Sequence, residues 1–110
     1  MTKNYPNTTI EVSITNKEEF IHRFSLGKAI EEAKLMISVF FPDADVKEEL
    51  YIDPENPVYK SLNISIILKV EDNVDMEQLI DSYDKLLEKF YEEVDHQYTK
   101  EISFYLEVLS

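Results

Sequence analysis

Ser61-Leu62-Asn63-Ile64-Ser65-Ile66-Ile67-Leu68-Lys69-Val70 is the stretch that decides the fold. Every second residue from Leu62 to Val70 is a branched aliphatic, and Asn63, Ser65 and Lys69 fill most of the gaps between them. Side chains alternate across a strand, so one face of this segment suits a core and the other suits water. Ile67 is the apolar exception on the watery side. A single strand cannot stand alone; it needs paired neighbours and a roof over its apolar face.

The neighbours are legible on either side of it. Residues 46–53 alternate more weakly, with Val46, Leu50 and Ile52 on one face. Glu48 shares that face, and an inward-pointing charge predicts an edge strand. Asp53-Pro54-Glu55-Asn56-Pro57 joins this run to the next as a stiff loop, so the two read as an antiparallel pair. Residues 102–109 alternate Ile102, Phe104, Leu106 and Val108 with Ser103, Tyr105 and Glu107. Residues 8–14 do the same with Ile10, Val12 and Ile14, which predicts a fourth strand.

Two helical patterns supply the roof. Leu26, Ala29, Ile30, Ala33, Met36, Ile37 and Phe40 recur at three- and four-residue spacing, and Pro42 ends the run. Met76, Leu79, Ile80, Tyr83, Leu86, Leu87, Phe90 and Val94 make a second, broader stripe. Asp75 is placed to cap it, with Gln78 three residues on and Val74 and Leu79 at staple spacing. Thr15-Asn16 with Glu18 and Glu19 offers another cap, but Phe20 to Phe24 suits either a short helix or a strand. Ser25-Leu26-Gly27 marks a kink or restart. The order strand, helix, strand, strand, helix, strand predicts one α+β domain over 1–110. Its expected form is a ferredoxin-like βαββαβ fold: a four-stranded antiparallel sheet, first and third strands central, both helices on one face.

Composition narrows the function. The chain has 110 residues and a formal charge of −12, spread along its length, which repels phosphate backbones and anionic lipid. Neither nucleic acid nor a membrane is therefore an expected partner. There is no cysteine, hence no disulfide and no thiolate nucleophile or ligand. One glycine, Gly27, excludes phosphate-cradling glycine loops and leaves the turns to Asn, Asp and Pro. The polar start of the chain is unlike a secretory signal, and a cytoplasmic location is expected. His22 and His96 stand in no ligand spacing; His96 is expected near the end of the second long helix, where a partly positive ring suits the dipole. The acidic groups Asp43 with Asp45, and Glu71, Asp72 and Asp75, lack calcium-loop spacing. Glu77, Asp81, Asp84, Glu88, Glu92 and Asp95 read as the solvated side of the second long helix. No catalytic, cofactor or metal site is expected, and the chain reads as a non-enzyme.

What remains is the uncovered side of the sheet. The residues opposite the core there are mostly polar, among them Thr9, Glu11, Ser13, Glu49, Asn63, Ser65, Lys69, Ser103 and Glu107. Tyr51, Ile67, Tyr105 and Leu109 break that pattern and are the candidate partner-binding residues, for a second copy or a protein partner. An acidic antitoxin or immunity-type protein that masks a basic partner is the alternative, drawn from the charge. The 51–57 run, the strand from Leu62 to Val70, Tyr83-Asp84-Lys85, Phe90-Tyr91 and Glu92 together resemble a pattern in small uncharacterised bacterial proteins. That resemblance implies the βαββαβ architecture and brings no activity or site with it.

Overall fold

The computed structural model describes residues 14–71 and 73–109. These form four helices and three strands in the order α1 (Lys17–Arg23), α2 (Gly27–Phe40), β1 (Asp45–Ile52), β2 (Lys60–Lys69), α3 (Met76–Glu93), α4 (His96–Thr99) and β3 (Ile102–Leu109). The ambiguous segment is helical. Asn16 decides it: its Oδ1 accepts the Glu19 backbone N–H at 2.8 Å, and its side-chain amide donates to the Glu19 carboxylate. The two residues close a reciprocal cap on the first turn.

α1 stops by a Schellman turn. The Ser25 N–H donates to the His22 carbonyl and the Leu26 N–H to the Ile21 carbonyl, with Ser25 at φ 54°. Leu26 then lies fully buried, and α2 starts at Gly27. The single glycine does not take the left-handed position; a serine does. α2 runs to Phe40, and Pro42 follows its C-cap, as the sequence predicts.

The sheet order is β1-β2-β3, with β1 antiparallel to β2 and β2 parallel to β3. Among the described residues β2 is central and β1 is an edge, both as expected. The four-stranded antiparallel ferredoxin-like sheet is not. In that arrangement the first strand separates β2 from the last strand. Here Leu62 pairs with Ile102 and Lys69 with Leu109 directly, so no strand intervenes. The direction of β3 follows from geometry. A helix of 18 residues returns the chain over roughly 27 Å, close to the length of β2, and β3 restarts in the direction of β2. The expected strand at 8–14 lies outside the described residues except for Ile14, which is buried.

Leu62, Ile64, Ile66 and Leu68 of β2 face the helices and are buried, with Ala29, Ile30, Ala33, Met36 and Ile37 of α2 and Leu86 and Phe90 of α3 above them. Phe90 meets Phe104 edge-on at 5.0 Å between ring centres, which ties α3 to β3. Glu48, the inward charge of β1, is matched by Lys34 of α2. The glycine-free β1–β2 loop is held by side chains. Asp53 Oδ1 accepts the Glu55 N–H at 2.9 Å, Asn56 Oδ1 accepts the Val58 N–H, and Asp53 N–H closes onto the Tyr59 carbonyl at 3.0 Å.

The second long helix ends earlier than its stripe suggests. Val94 is its C-cap in extended backbone, and Asp95 caps the separate α4 by accepting the Gln97 N–H at 3.1 Å. His96 is therefore the first residue of α4 and not the cationic end of α3, and Asp95 does not belong to the acidic face of α3.

Candidate functional site

Register fixes what the outer side of the sheet presents. Reading across from β1 to β3, one row holds Glu49, Asn63 and Ser103; the next holds Lys47, Ser65 and Tyr105; the third holds Asp45, Ile67 and Glu107. Lys69 and Leu109 form the last row. Ile67 thus lies diagonal to both Tyr105 and Leu109, within reach of an aromatic side chain. Ile67 links the two, because Tyr105 and Leu109 are themselves four positions apart on β3 with Glu107 between them. Tyr105 is 54% exposed and Leu109 36%, while Ile67 is half-buried between its neighbours.

Tyr51 lies apart from these three. It pairs with Ser61, four β2 positions from Ser65, which faces Tyr105. The two tyrosines are separated by roughly 13 Å along the strands and by two strand spacings across them. Both rings are exposed, so neither belongs to the core. Thr9, Glu11 and Ser13 lie outside the described residues.

A second aromatic at the same margin has no mark in the strand pattern. Tyr83 of α3 lies within electrostatic reach of Tyr91 and Tyr105; burial, then these two phenols and Asp84, raise its pKa above the ordinary tyrosine value. Phe90 brings Tyr91 alongside, with ring centres 5.7 Å apart. Helical spacing assigns Tyr83 to the core stripe. That β3 is an outermost strand among the described residues is not written in that spacing.

Cavities add little chemistry. One of about 450 Å³ lies between the Ser25 turn and the α3–α4 junction, with Lys28, Glu32, Glu93, Asp95 and Tyr98 on its walls. Another of about 310 Å³ is walled by Ile14, Phe20, Phe24, Tyr59, Lys60 and Lys100. Neither of these walls carries a histidine; His22 lies instead on the wall of a more open hollow of about 360 Å³, with Glu18 and Ser25. Among the described residues no three His, Asp or Glu side chains converge in a way that could hold a metal ion. Asp75 spends its carboxylate on the Gln78 N–H at 3.2 Å. The exposed acids of α3 are partly paired along the helix, Asp81 with Lys85 at 3.1 Å and Glu93 with Lys89 at 2.8 Å. Among the described residues no helix is long and apolar enough to cross a membrane. No protein-family model, no curated protein and no solved structure matches the chain.

Proposed function

We propose that this chain is a non-enzymatic interaction module that docks protein through the outer side of its sheet, along β3 where Ile67 lies beside Tyr105 and Leu109. One observation carries the reading. On a sheet side that is mostly polar, Ile67 is the diagonal neighbour of both Tyr105 and Leu109. An exposed aromatic ring beside an aliphatic on a strand is the kind of anchor that dominates protein interfaces. Tyr105→Glu tests it: light scattering and a pull-down from native lysate should both lose association that the parent protein makes. A parent protein that is monomeric at high concentration and captures nothing would overturn it.

The acidic reading keeps one support. Glu77, Asp81, Asp84, Glu88 and Glu92 are all exposed on α3, and they would favour a basic partner. An antitoxin or immunity-type role stands on that face, and Asp81→Lys with Glu88→Lys would weaken it while leaving the Tyr105 patch intact.

A further inference from the structure

The two strands that are outermost among the described residues are unequally guarded. β1 carries Asp45, Lys47, Glu48 and Glu49 in eight residues, and one of them, Glu48, points inward. Charges on an edge strand, inward ones above all, discourage a further strand from pairing there. β3 has the sequence Ile-Ser-Phe-Tyr-Leu-Glu-Val-Leu, with Glu107 its one charge and no proline. Among the described residues β3 has a strand neighbour on one side only.

Which of its amides are open follows from the ladder. The Leu62 N–H donates to the Glu101 carbonyl at 2.9 Å and the Val70 N–H to the Leu109 carbonyl at 2.8 Å. Odd-numbered residues of β3 therefore turn their backbone groups toward β2. Strand backbone alternates, so Ile102, Phe104, Leu106 and Val108 turn theirs outward. The side chains of Phe104, Leu106 and Val108 are only half-buried although they face the helices, and Phe90, which meets Phe104, has the exposed Tyr91 alongside it. This margin is apolar on its helix-facing side and carries Tyr105 and Leu109 beside Ser103 and Glu107 on the other. Among the described residues its outward N–H and C=O groups face no strand.

We infer that β3 pairs antiparallel with β3 of a second copy, joining two three-stranded sheets into one. This rests on the interaction-module reading and names its partner. The occupant is argued from charge. Two chains of −12 repel wherever their acidic helices meet, and they can approach most closely along their most nearly neutral strip. A basic partner finds a single carboxylate there. The copy is also self-complementary. With the two-fold axis at Leu106, each Glu107 faces the other chain's Tyr105; with the axis at Tyr105, it faces Ser103. Either register keeps Glu107 from its own image, which would be unfavourable directly opposite.

The test is residue-resolved amide exchange at several protein concentrations, beside the solution mass. Ser103, Tyr105 and Glu107 N–H groups are bonded to β2 and should exchange slowly at every concentration. Phe104, Leu106 and Val108 N–H groups should slow down only as the mass doubles. Leu106→Pro removes one outward donor on each chain and should weaken self-association about tenfold or more, with the β2 ladder untouched. If that variant does not fold, exchange in the parent protein decides alone. A dimer whose even-numbered β3 amides stay fast associates by another surface; it overturns the edge pairing and leaves the interaction module standing. Protection of those amides in a strict monomer means that the edge is covered within one chain, and also overturns it. A monomer with fast amides and no captured partner removes both readings together.

Discussion

Ser25 holds a left-handed backbone at φ 54°, a state that costs an L-residue with a Cβ about 1–2 kcal/mol. Glycine at that position relieves the cost, less what the freer unfolded chain takes back. Ser25→Gly should therefore stabilise the protein by about 0.5–1 kcal/mol in urea unfolding. A break near this point is legible in the sequence, because the stripe of α2 begins at Leu26. Which residue turns left-handed is not, since Gly27 is the natural candidate and is passed over. Phe90 is the opposite case, with helical spacing sufficient to place it in the core. It is fully buried against Phe104, and Phe90→Ala should cost about 3–5 kcal/mol by the same measurement. Tyr83 gives a pH signature. Its pKa is raised in the folded state by burial, then by Tyr91, Asp84 and Tyr105, so the folded protein keeps a proton that the unfolded chain releases. The stability this represents is fully present below the ordinary tyrosine pKa and is lost as pH rises through the folded one. Tyr83→Phe should flatten the fall in stability above about pH 10, with denaturant midpoints at each pH as the readout.

At the scale of elements, caps and periods were the dependable signals. Asp75 caps α3 through the Gln78 N–H, and Asp75→Ala should lower stability by about 1 kcal/mol without shifting the rest of the fold. β1, β2 and β3 fall within a residue or so of their alternating runs, because a period of two leaves few alternatives once one face must be buried. α4 was invisible. His96-Gln97-Tyr98-Thr99 is too short to show a period, and its one signal is the Asp95 cap, which the stripe of α3 absorbs. The outer-face patch was legible by type and not by distance. Alternation places Tyr51 and Tyr105 on one face, but only the register shows that four β2 positions separate them.

For the whole molecule, the period of each strand says nothing about which strand lies beside which. An inserted strand and a direct β2–β3 contact demand the same alternation in both partners, so the antiparallel expectation and the mixed sheet share one sequence pattern. Charge is the property that acts at this scale, and it separates the two functional readings. Self-pairing along β3 brings two bodies of like sign together, so added salt screens their repulsion and should strengthen association. Docking of a basic protein onto the α3 acids draws on attraction, and the same salt should weaken it. Sedimentation of the purified chain from about 0.05 M to about 0.5 M salt should show dimer gaining several-fold, because the Debye length shrinks from beyond the width of a strand pair to less than one. Tyr105→Glu places a new carboxylate near that junction and should make what dimer survives depend on salt more steeply than the parent. Association that falls with salt in the parent chain would instead put the attraction on the acidic helix and leave β3 without a role.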